Sequence, residues 1–135
     1  MSETNSNAQV AEQEPIDLTA MEKPSPGKYS GTMLTVENGV ITDKRGKQIK
    51  TATLIAEINA KKTDGSPHFA RKVFRFYTRG KKALSADVQA IIQRELTAAE
   101  RKAFNPAALI IGKAAEVTIS GSGTVIFNPA TTLKQ

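Results

Sequence analysis

Between Leu84 and Leu96 the apolar residues of this chain change their period, and that change constrains the fold more than any other feature. Leu84, Val88, Ile91, Ile92 and Leu96 recur at steps that line one face of an α-helix. On both sides of this stretch apolar and polar residues alternate instead, as they do in half-buried strands. Three alternating runs precede the helix, at residues 28–37, 48–60 and 69 to about 80. Two follow it, at residues 115–119 and 124–127.

Turn chemistry separates the runs. Asn38 and Gly39 predict a turn, after which Val40, Ile41 and Thr42 resume a strand. Residues 43–47 read as a charged loop with a glycine, and Asp64-Gly65 marks the turn of a loop at residues 61–67. Gly121, Ser122 and Gly123 signal a tight hairpin. Ser85 is placed to cap the helix, Thr97 and Glu100 match a capping box, and Asn105-Pro106 is expected to stop the helical segment. Leu109, Ile110 and Ile111 read as a buried lead-in to the fourth strand. Three strands, a helical segment and two strands give a mainly β fold. This is the layout of the OB-fold, a five-stranded Greek-key barrel with a helical segment between strands 3 and 4.

Charge divides the chain. Residues 1–27 hold five acids and one base, whereas residues 28–135 hold eighteen bases and eight acids. Within 44–82, twelve bases face only Glu57 and Asp64. Such a concentration suits a polyanionic partner. Residues 1–26, rich in Ser, Asn, Gln, Glu and Pro, read as a disordered acidic tail. The domain then runs over 27–128, with a short tail at 129–135. In the acidic tail, Ile16, Leu18 and Met21 form a weak apolar cluster suited to docking on the domain or on a protein partner.

The basic excess meets the aromatic residues in one place. Four of the seven aromatic residues, Phe69, Phe74, Phe76 and Tyr77, lie in the third run. As a strand, this run carries Phe69, Arg71, Val73, Arg75, Tyr77 and Arg79 on one face. Ala70, Lys72, Phe74, Phe76 and Thr78 lie on the other. The second face suits a core. The first interleaves cations, which hold phosphates, with rings, which stack on unpaired bases. Lys44, Arg45, Lys47 and Lys50 add a basic loop and strand entry beside it, on the elements an OB-fold uses for nucleic acid. Lys81 and Lys82, like Lys61 and Lys62, read as diffuse electrostatic contributors.

Other chemistries find little support. The chain has no cysteine and one histidine, His68, which is expected to begin strand three in solvent. This leaves no metal set and no nucleophile–base pair. The glycines match no phosphate loop, so no enzyme and no cofactor are expected. No apolar run approaches a membrane span, and the polar N-terminus does not resemble a secretory signal, so the expected location is the cytoplasm.

Four stretches carry a family likeness: residues 27–31 (Gly-Lys-Tyr-Ser-Gly), residues 71–77 (Arg-Lys-Val-Phe-Arg-Phe-Tyr), Phe104-Asn105-Pro106 with residues 109–113, and the pair 115–120 and 124–127. Over residues 27–128 the chain resembles the small OB-fold single-stranded DNA-binding proteins of phages and other mobile elements. The resemblance implies binding of single-stranded DNA in replication or recombination, without a cofactor. Many such proteins end in an acidic tail that recruits partners. This chain departs there, ending Ala130-Thr-Thr-Leu-Lys-Gln135, with its acidic segment at the other end.

The expected function is therefore largely sequence-independent binding of single-stranded DNA. The expected contacts are Lys44, Arg45, Lys47, Lys50, Phe69, Arg71, Arg75, Tyr77, Arg79, Lys81 and Lys82. An RNA-binding module would use the same groups, and a protein-interaction barrel acting as an accessory or inhibitory factor would use the same patch. Homo-oligomers are compatible with the pattern, and the acidic N-terminal tail is suited to compete with DNA for the basic face.

Overall fold

Strand-forming alternation in the sequence becomes one five-stranded antiparallel sheet in the computed structural model, which describes residues 15–129. The strands are β1 (Gly27–Thr42), β2 (Gln48–Lys61), β3 (Pro67–Arg75), β4 (Ala114–Ile119) and β5 (Val125–Pro129). Three helices lie between β3 and β4: α1 (Thr78–Ile92), α2 (Ala98–Lys102) and α3 (Pro106–Ile110). The strand order is β3-β2-β1-β4-β5. The edge strands β3 and β5 come into contact, so the sheet curls toward a barrel, and α1 packs on both of them.

β1 makes this curl possible by pairing with two neighbours. Its first residues pair with β4, from Gly27 opposite Ile119 to Thr32 opposite Ala114. From Gly31 onward it pairs with β2. Gly31 serves both ladders, and a Cβ there would stand 3.0 Å from Val117 Cγ2. The register slips between Met33 and Thr35, a bulge that bends the strand. The turn expected at Asn38-Gly39 does not form. Asn38 pairs with Ala52 and Gly39 with Thr51, and β1 continues to Thr42. Ladder hydrogen bonds outweigh the local turn preference of the dipeptide.

The core lies between the inner sheet face and the helices. Ala52, Leu54, Ala56 and Ile58 of β2 are buried there with Ala70 and Phe74 of β3, and Val117 and Phe127 of β4 and β5. Leu84, Val88 and Ile91 of α1 close it from the other side. Each fully buried large apolar side chain stabilises the fold by roughly 1.5–3 kcal/mol.

Several local expectations are corrected. β3 ends at Arg75, where a strand to about residue 80 was expected, and α1 begins at Thr78, before Ser85. Ser85 is inside the helix, its hydroxyl donating to the Lys82 carbonyl. Asn105-Pro106 starts a helix and does not stop one, since α2 already ends at Lys102. Asn105 Oδ1 accepts from Ala108 N, and Pro106 occupies the first helical position, where its missing N–H costs nothing. Within the expected lead-in, Ile110 is buried but Ile111 is half exposed. His68 is buried at the start of β3, because that strand begins beneath the β4–β5 hairpin and residues 22–26. The capping box at Thr97 and Glu100 forms as expected.

Residues 15–26 carry a single 3-10 turn, Thr19–Met21. Glu22 then accepts hydrogen bonds from the backbone N–H and hydroxyl of Thr63, in the β2–β3 loop. The acids Glu3, Glu12 and Glu14, and residues 130–135 of the short C-terminal tail, lie outside the described residues. Among the described residues no helix is long and apolar enough to cross a membrane.

Candidate nucleic-acid interface

Paired residues in an antiparallel ladder project to the same side of the sheet. The outer side of β1, β2 and β3 therefore consists of cross-strand rows. Gly39, Thr51 and Arg75 form one row; Glu37, Thr53 and Val73 the next; then Thr35, Ile55 and Arg71; and finally Thr32, Glu57 and Phe69. Arg71, Val73 and Arg75 are exposed on this surface, while Ile55 and Thr51 beneath them are buried. The result is a largely polar platform in which Val73, Ile55 and Phe69 are the apolar side chains, with cations along the β3 edge and the acids Glu37 and Glu57 on β1 and β2. Phe69 is half-buried at its lower end, and the Arg71 guanidinium carbon stands 5.8 Å from the ring centre.

The opposite parity of β3 goes to the core. Phe74 is buried and Phe76 packs partly against the same cluster. Lys72, on the same side of the strand, is half-buried, with its Nζ 2.8 Å from Asp87 Oδ2 on α1 and 5.3 Å from the centre of the Phe74 ring. This cation is committed to the fold.

Tyr77 and Arg79 do not lie on β3. The last ladder-like bond runs from Phe76 N to the Lys50 carbonyl, and Tyr77 then caps the N-terminus of α1. Tertiary structure nevertheless returns Tyr77 to the platform. Its hydroxyl donates to Asp43 Oδ2 at 3.3 Å, and its ring, 44 % exposed, lines a cleft with Arg75, Ile41, Lys44 and Arg45. Arg79 and Lys82 are exposed on the first turns of α1.

Asp43 shapes the β1–β2 loop. Its Oδ1 accepts from Arg45 N at 2.9 Å and Lys47 N at 2.8 Å, while its backbone N–H bonds the Lys47 carbonyl. Gly46 takes the left-handed conformation, φ +80°, that closes the turn. The Lys47 N–H above all, with the Arg45 N–H and the Tyr77 hydroxyl, holds the Asp43 carboxyl below its ordinary value. An anion at the loop root thus fixes two backbone amides and presents Lys44 and Arg45 beside Arg75. Asp43 is absent from the contacts expected on sequence, although an aspartate three residues before a glycine carries the signal of a side-chain-stabilised turn.

Eight of the eleven expected residues fall into three places. Lys44, Arg45, Arg75 and Tyr77 meet at the upper cleft. Phe69 and Arg71 lie at the lower end of β3, in a groove shared with Lys62, the β4–β5 hairpin and Pro24 and Pro26. Lys50 and Lys81 turn to the other side of the sheet. Lys50 shares the parity of Ala52 and lines a hollow with Asn38 and Phe76, and Lys81 borders a groove beside α1. Lys47 is exposed in the loop.

Among the described residues, no group of three or more His, Asp or Glu side chains could hold a metal ion. In comparisons with known proteins, no family model and no curated protein matches this chain.

Proposed function

We propose that this protein is an OB-fold single-stranded DNA-binding protein, cytoplasmic and non-catalytic, serving replication or recombination of a phage or mobile element. The fold part of this reading is supported by the strand order, the bent β1 shared between two ladders, the contact of β3 with β5, and the helices inserted between β3 and β4. The functional part rests on one observation. Arg75, Lys44 and Arg45 line a cleft at the upper end of the outer sheet surface with the 44 % exposed Tyr77 ring among them, and Arg71 is exposed lower on the same strand.

Phosphates would run along the cations and release counterions, while bases would turn toward the platform and stack on Tyr77. The test is fluorescence anisotropy of a labelled homopyrimidine strand and of its duplex across a salt series. Tight, salt-sensitive binding of the single strand alone is expected. Equal affinity for duplex would reduce the platform to a general polyanion surface. Competition with a matched RNA strand identifies the preferred sugar.

A further inference from the structure

A second groove, of about 570 Å³, lies on the opposite side of the sheet from the platform, where α1, α2 and the start of α3 meet β1. Val36, Phe76, Leu96 and Phe104 line it, and Lys81 and Arg101 stand at its border. Neither cation has an acidic partner within ion-pair distance among the described residues; Arg101 makes only a 3.5 Å contact with Gln89 Oε1. The groove is therefore apolar within and positive at the rim.

The chain carries a segment of complementary character. Ile16, Leu18 and Met21 are 83 %, 61 % and 72 % exposed, the three most exposed large apolar side chains among the described residues. Asp17 stands among them. Its Oδ1 accepts from the backbone N–H and hydroxyl of Thr19, leaving Oδ2 without a partner among the described residues. The segment is held at its root by Glu22 on Thr63 and by the Tyr29 hydroxyl on the Ser25 carbonyl.

That anchoring keeps the segment out of its own groove. Thr63 follows the lower end of β2, whereas Asn38, at the groove, pairs with Ala52 near the upper end. The nine residues from Lys61 back to Ala52 span about 30 Å at ~3.3 Å per residue. Even the six residue steps from Glu22 back to Ile16 span at most about 22 Å.

We propose that Ile16, Leu18 and Met21 of one molecule dock in the groove of a second copy, with Asp17 meeting Lys81 or Arg101. The two surfaces are different, so the contact is head-to-tail and builds chains of molecules, where a two-fold contact would close a dimer. A contact this small is weak between free molecules and gains strength where neighbours are held side by side. The platform stays open, because groove and platform lie on opposite sides of the sheet.

Sedimentation velocity of the full-length chain without nucleic acid, from about 10 μM to 1 mM, brackets weak association. Concentration-dependent growth beyond a dimer is expected. Leu18→Glu, on the segment, and Arg101→Glu, at the exposed rim, should each raise the dissociation constant about tenfold or more, as removal of an apolar anchor or of a charge pair does. Circular dichroism checks that both variants keep the fold. Mixing the two variants leaves one intact segment and one intact groove per pair, so heterodimers that grow no further are expected. A wild-type chain that stays monomeric throughout, whether its groove is filled from within or kept for a foreign peptide, overturns the proposal. So does assembly that both folded variants retain unchanged. None of these outcomes depends on DNA binding.

Discussion

Gly80 rests against the backbone of Arg75 so closely that a Cβ at Gly80 would lie 1.8 Å from the Arg75 carbonyl oxygen. This close approach decides where β3 stops. Arg75 still pairs with Thr51, but two residues after it the chain turns into α1, whose first turn folds back over the strand end. Only a residue without a side chain fits there. The same reversal swings Tyr77 off the strand and over the β1–β2 loop.

Gly80→Ala should therefore destabilise the fold by about 3 kcal/mol, toward the upper end of what overpacking costs, because the obstacle is backbone and cannot rotate away. Urea unfolding measures this. A decrease below about 0.5 kcal/mol, the scale of a neutral surface change, would show that the strand end gives way easily.

Tyr77→Ala should weaken binding of a homopyrimidine strand by about 1–3 kcal/mol, the range for one stacked base. Tyr77→Phe keeps the ring and removes only the bond to Asp43, so its affinity should stay near that of the wild type. Anisotropy titration separates the two roles. Equal weakening in both variants would assign the residue to loop positioning through Asp43.

The position of the cations predicts unequal salt effects. Arg75→Gln or Arg45→Gln should reduce the slope of log affinity against log salt by about 0.7 for each phosphate that is no longer neutralised. Lys50→Gln should leave the slope unchanged, because Lys50 lies on the other side of the sheet. A slope change at Lys50 equal to that at Arg75 would place the nucleic acid elsewhere.

Glu100 provides a pH test. Arg94, whose guanidinium bonds both carboxylate oxygens, together with the Thr97 N–H, lowers its pKa from 4.5 to about 2. A depressed value means stability that is present above pH 4.5 and is lost as pH falls from 4.5 toward about 2. Glu100→Gln should flatten that part of the stability profile relative to wild type. Unfolding free energies at pH 6 and at pH 3 measure the difference.

Legibility followed the range of the forces involved. The inner face of β2 could be read directly, since period-two alternation at Ala52, Leu54, Ala56 and Ile58 is local and burial on one side enforces it. The capping box at Thr97 and the loop at residues 43–47 were equally visible, because their hydrogen bonds join neighbours in sequence. Asn38-Gly39 misled, because its turn preference is small beside the ladder bonds that β2 offers on one side. The third strand was legible as far as Arg75 and opaque beyond it. Phe76, Tyr77 and Thr78 suit a strand locally, and only the approach of Gly80 to Arg75 ends it.

By itself the sequence determined a mainly β domain, an outward Arg71 and Arg75, and a basic middle third, since each follows from local periodicity or simple charge; which of Phe74, Phe76 and Tyr77 face outward it left open. Tertiary structure alone decided that Tyr77 leaves β3 yet joins Arg75 over the Asp43 loop, that Lys50 and Lys81 turn away from them, and that Lys72 is held by Asp87. The physical reason is that these outcomes depend on pairings between residues far apart in the chain. Their register is set by burial of the whole sheet, and no local pattern encodes it.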